Sequence, residues 1–159
     1  MAAIKRIKQK FWRSVVILSM MSFTILFVPL TIQEQVEDTF WPIAIAILFW
    51  VLAILGYGSI FSAGKMRKKF LTKRFGKDIQ MNLKPGAFSF FSNPTAKTMD
   101  IILLLAILLL IVVSLTPLKE AYLMVILFSL FTWAVNMHCL FNSRTFRITK
   151  YKIKRGRMA

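Results

Sequence analysis

Acidic residues are scarce in this chain: six Asp and Glu stand against 22 Lys and Arg over 159 residues, for a formal charge of +16. Cysteine occurs once, at Cys139, and histidine once, at His138. A lone cysteine excludes an intrachain disulfide framework and a cysteine-based zinc site. A single histidine needs further ligands to hold a metal, and the sequence offers none nearby. Phosphate-binding glycine loops, the HExxH pattern and paired carboxylates are also missing, so neither cofactor nor catalytic residue is expected. His138 and Cys139 are chain neighbours about 100° apart around a helix, a weak arrangement for nucleophilic catalysis.

Charge is absent altogether from four long stretches, and these decide the class. The chain is 57% apolar and 14% aromatic with a mean hydropathy of +0.64, against roughly 45–50% apolar in an ordinary soluble domain. Each uncharged stretch approaches the roughly 20 residues that cross a bilayer core. The reading is an all-α integral membrane protein, one membrane domain over 1–159, with spans at about 14–32, 40–63, 94–118 and 121–141. The spans form two hairpins, N-in and C-in. The loop 64–93 and the tail 142–159 lie in the cytoplasm. The first stretch follows a basic segment as a signal peptide does, but it is too long and no small-residue cleavage site precedes Gln33, so it reads as a retained span.

Orientation follows from the basic residues. All of them except Lys119 fall on one side of a four-span arrangement, which places both termini in the cytoplasm by the positive-inside rule. The expected location is a bacterial plasma membrane.

On that basic side, Phe61 to Phe75 interleaves Phe70, Leu71 and Phe75 with Lys65, Arg67, Lys68, Lys69, Lys73 and Arg74. Such a segment reads as a helix in the headgroup layer, its cations on anionic lipid phosphates. Lys97, near the start of the third helix, joins this set as a lipid-headgroup contact. Ile79, Met81 and Leu83 alternate with polar residues, as do Thr149, Tyr151 and Ile153, which suggests a short strand pair beneath the membrane. Asn93 or Ser92 suits an N-cap and Pro94 a first helical residue, so the third helix is expected to start near Pro94. All this positive charge lies beside the membrane, so the expected anionic partner is lipid and not nucleic acid.

Inside the spans, Ser129, Thr132, Asn136 and Cys139 share one face of the fourth helix. Ala46, Ala53, Gly56 and Ala63 form a small-residue stripe on the second. These features predict close packing of spans two and four through Ala53, Gly56, Ser129, Thr132 and Asn136. Asp100 at the membrane boundary is expected to pair with nearby basic residues. Asp100 and His138 are the two polar positions held open for a functional role. The similar ends of spans one and three, Val28-Pro-Leu-Thr31 and Thr116-Pro-Leu-Lys119, raise a parallel duplication of one hairpin.

With almost no intramembrane charge, the expected function is a non-enzymatic accessory, regulatory, assembly or immunity-type subunit. Its partners would be a second membrane or cytoplasmic protein, or a further copy of itself. A small oligomeric transporter or channel is the alternative. The orientation is testable with single cysteines at Glu37 and Lys84 in a Cys139→Ser background. A membrane-impermeant thiol reagent should label position 37 and spare position 84 in intact cells; labelling at 84 reverses the topology.

Overall fold

The computed structural model describes residues 2–28, 40–75, 90–116 and 120–150. Among these the secondary structure is helical, with no strand: α1 (Ala2–Thr24, closed by a 3₁₀ turn Ile25–Phe27), α2 (Phe40–Phe75), α3 (Pro94–Leu115), α4 (Ala121–Asn142) and a short α5 (Arg144–Lys150). Four of them, α1 to α4, are long and apolar enough to cross a membrane. The chain is an integral membrane protein.

Helix α1 begins well before its apolar stretch. Ile7, Phe11, Ser14, Leu18 and Met21 recur at intervals of four and three and are all buried, so one packed stripe runs through the basic segment and keeps it helical. Lys5, Arg6, Lys8 and Arg13 lie on its exposed faces. Phe11 is fully buried against Phe141 and Phe146, with ring centroids 5.8 and 5.3 Å away.

Helix α2 continues without a break from Phe40 to Phe75, 36 residues, about 54 Å at 1.5 Å per residue. The hydrocarbon core is only about 30 Å thick. The basic Phe61–Phe75 segment is therefore continuous with span two and reaches past a core of that thickness. Helix α3 starts at Pro94 because Asn93 caps it, its side chain accepting the Ala96 N–H at 3.1 Å.

The long helices stand in the order α2, α1, α4, α3. This corrects the expected interface, because α1 lies where α2 and α4 were to meet. Gly56 faces α1: a Cβ built there would lie 2.6 Å from Leu18 Cδ2, and the Ser14 hydroxyl donates to the Gly56 carbonyl at 2.8 Å. Ala53 is buried on the same side of the array, in the cluster that holds Leu18. The small residues thus let α1 and α2 backbones approach.

Ser129 and Asn136 also turn to α1. Ser129 Oγ donates to the Ser22 carbonyl at 2.9 Å, Trp133 Nε1 to Ser19 Oγ at 3.0 Å, and Asn136 Nδ2 approaches Ser22 Oγ at 3.5 Å. Thr132, half-buried, offers its carbonyl to Asn136 Nδ2 at 3.0 Å, and Cys139 is exposed. Helices α2 and α4 are bridged by the Tyr57 hydroxyl, which donates to Asn136 Oδ1 at 2.7 Å.

One further expectation changes. Residues 144–150 form a helix, so the tail does not become a strand at Thr149; the remaining strand positions lie outside the described residues. The parallel duplication rests on the ends of spans one and three. Pro29 and Pro117, which carried the resemblance, lie outside the described residues.

Gly56→Leu should lower stability in detergent by about 1–3 kcal/mol, the usual cost of forcing atoms into a packed site. Gly58 has nothing within 4 Å of a built Cβ, so Gly58→Ala should leave the thermal midpoint unchanged or slightly raised. Equal responses at the two positions would contradict the α1–α2 interface.

Candidate functional site

Helix α4 is an inner helix with two packed faces. One, bearing Ser129 and Asn136, meets α1; the other brings His138 and Asn142, one turn apart, against α3. On α3 the buried positions Ala96, Asp100 and Leu103 form the facing stripe. Asp100 is fully buried there.

Three donors surround its carboxylate. His138 Nδ1 lies 2.6 Å from Oδ1, Asn142 Nδ2 donates to the same oxygen at 2.7 Å, and the Phe91 N–H donates to Oδ2 at 2.5 Å. Because an ionised carboxylate only accepts, its bond to the imidazole requires the proton on Nδ1. The second Asn142 N–H then goes to the His138 carbonyl at 3.1 Å. Asn142 Oδ1 accepts the Ser92 N–H at 3.4 Å. Every polar atom of the carboxylate and the amide is engaged, as a buried network must be to avoid a desolvation cost.

The network also holds the turn that enters α3. Phe91 has φ 54°, the left-handed region that side-chain-bearing residues seldom adopt. Its N–H on Asp100 keeps it there. Phe90 covers the imidazole with ring centroids 4.5 Å apart, and Asn93 Nδ2 donates to the Phe141 carbonyl at 3.0 Å. Asp100, His138 and Asn142 thereby tie the start of α3 to the end of α4. The expected Asp100 partner, a Lys or Arg, is replaced by a histidine from the neighbouring helix.

The His138 side chain is 9% exposed, and with Nδ1 directed to Asp100 its Nε2 is the nitrogen turned away. A carboxylate on Nδ1 is the arrangement that orients a histidine for proton transfer or metal ligation. A reaction also needs a nucleophile or further ligands. Cys139 follows His138 in the chain but is exposed, and among the described residues no three His, Cys, Asp or Glu side chains converge as a metal site.

The basic residues occupy a different place. Lys65, Lys68, Lys69 and Lys73 are exposed or half-exposed on the extension of α2 with Arg67 half-buried among them, and Lys97 is exposed in the first turn of α3. Arg74 has its backbone in α2. Lys10 reaches from α1 to donate to Ser62 Oγ.

Sequence reasoning paired neither Asp100 with His138 nor either with Asn142, and it missed Tyr57, Ser14 and Ser22. The His138–Asn142 spacing of four was a visible signal. Compared with known proteins, the chain matches no family model, no curated protein and no solved structure.

Asp100→Ala removes the acceptor of three donors and should cost roughly 2–4 kcal/mol, at about 1 kcal/mol per lost bond plus the burial of unpaired donors. In a double-mutant cycle with His138→Ala, unfolding in detergent should show a coupling of about 1–3 kcal/mol. Additive effects would disprove the pairing.

Proposed function

We propose that this protein is a non-enzymatic accessory subunit of a bacterial plasma membrane, N-in and C-in, which associates with a second membrane or cytoplasmic protein. One observation carries the reading: the polar groups within the apolar spans bond to one another. Ser14 meets the Gly56 carbonyl, Ser129 the Ser22 carbonyl, Trp133 the Ser19 hydroxyl and Tyr57 the Asn136 amide. Groups engaged in this way join helices. A conducting path would need such groups turned to a lumen.

The remaining surface suits a subunit. The outer helices α2 and α3 present large exposed apolar side chains, among them Trp50, Ile54, Leu105, Leu108 and Ile111, to lipid or to a neighbouring span. The basic extension of α2 faces the cytoplasm in this orientation, with its cations at an anionic leaflet.

The test has two arms. After native extraction in mild detergent, the protein should run as a fixed-stoichiometry complex with a second polypeptide by native mass spectrometry; a monomer or pure homo-oligomer overturns the subunit reading. Reconstituted alone in liposomes, it should leave solute and ion permeability at the level of empty vesicles. A flux abolished by Asn136→Leu with stability retained would establish the transporter alternative.

A further inference from the structure

The helix that carries the basic segment is longer than a bilayer is thick. Helix α2 runs unbroken for 36 residues, about 54 Å, against about 40–45 Å for a bilayer with both headgroup layers. Its exposed aromatic pair, Phe40 and Trp41, suits one interface. Lys65 follows Trp41 by 24 residues, about 36 Å along the axis, and Lys73 lies about 12 Å further on. Measured against a core of about 30 Å, Lys65 reaches headgroup depth while Lys73 stands about 10 Å past the headgroups, in water. A tilt of about 20° shortens these rises by only about 6%.

This projecting end is braced by its neighbours. Lys10 of α1 donates to Ser62 Oγ, and α5 packs on both α1 and α2. Each helix supplies buried apolar residues there: Ile7 and Phe11 from α1, Ala63 from α2, Phe146 and Ile148 from α5. Lys65, Lys69 and Lys73 recur every four residues and so share one face. Lys65 lies two residues, about 200° around the helix, from the fully buried Ala63, and all three lysines are exposed. The chain thus presents a ridge of cations on a packed support, which leaves little backbone freedom to lose on binding.

We propose that the Lys65–Lys69–Lys73 ridge docks an acidic helical segment of a soluble protein. Depth favours a partner in water over lipid, because the far end of the ridge clears the headgroup layer. Lysine favours carboxylates presented as separate point charges over a planar group needing a fork. A helix with Asp or Glu at every fourth position repeats the rise of the ridge, about 6 Å per step. Such complementarity steers encounter and fixes register. The inference rests on the subunit reading and its orientation, and it names the surface and chemistry of the partner.

The experiment uses the full chain in native membranes. A water-soluble carbodiimide joins a lysine amine to a touching carboxylate as an amide, a bond that lipid phosphate does not form. Mass spectrometry should find Lys69 or Lys73 joined to an Asp or Glu of a second polypeptide, within a stretch that has further acids at four-residue spacing. Lys65→Gln, Lys69→Gln and Lys73→Gln together should lower recovery of the complex at least tenfold. Lys5→Gln, Arg6→Gln and Lys8→Gln together, which remove the same charge from α1, should lower it less than twofold.

A spin label on Lys73→Cys in a Cys139→Ser background, reconstituted in bilayers containing phosphatidylglycerol, should collide more with a water-soluble nickel complex than with oxygen. The reverse result places Lys73 among lipids and overturns the ridge. Coupling to Asp78 of the same chain does so too, because the chain's own carboxylate then occupies the lysines. Equal losses from the two triple variants reduce the effect to net charge and also overturn it. A complex that survives the α2 triple variant without carboxylate coupling overturns the ridge alone, whereas the absence of any complex overturns the subunit reading as well.

Discussion

Hydroxyl groups that reach backbone carbonyls across helix interfaces are the interaction on which this architecture rests. Lipid tails are as apolar as leucine, so helices in a bilayer gain little by burying apolar surface against each other. Close approach and polar bonds must do that work. Ser14 on the Gly56 carbonyl brings α1 against α2, and Ser129 on the Ser22 carbonyl brings α4 against α1. Both bonds use α1, which explains why the first helix is an inner one and why its packed stripe extends down to Ile7.

A consequence is a row of helices with two inner and two outer members. The inner pair, α1 and α4, carries the polar side chains, while α3 contributes a run of leucine, isoleucine and valine with few interruptions. The exception on α3 is Asp100, at the end where the apolar stretch begins. Its burial is tolerated because donors from α4 and from the turn at Phe91 converge on it. This makes the α3–α4 hairpin rigid at its basic end, where the aromatic cluster of Phe11, Phe141 and Phe146 also sits. That end combines a bonded core with exposed cations, among them Lys65, Lys69 and Lys97.

Much of this was legible in the residues. Four uncharged stretches, separated by short polar turns or by basic segments, specify four helices because only a helix satisfies its own backbone in hydrocarbon. The Asn93-Pro94 start of α3 and the part of Gly56 and Asn136 in helix contacts were also readable. The partner of each was not. Gly56 and Asn136 lie on helices that both pack against α1, and a stripe of small residues says that something approaches without saying what. The basic segment after Phe61 reads as a headgroup-layer helix because its composition changes there, and nothing in Ser62-Ala63-Gly64-Lys65 stops the backbone hydrogen bonds from running on out of span two.

The sequence by itself determined the class of the protein and the number of its long apolar helices, because these depend on transfer of individual side chains between water and lipid. Helix order and the pairing of Asp100 with His138 and Asn142 were decided only in the tertiary structure. The paired residues come from different helices, and hydropathy leaves the rotation of each helix about its axis open. That rotation is settled by which small residue admits a neighbouring backbone and which polar group finds its partner.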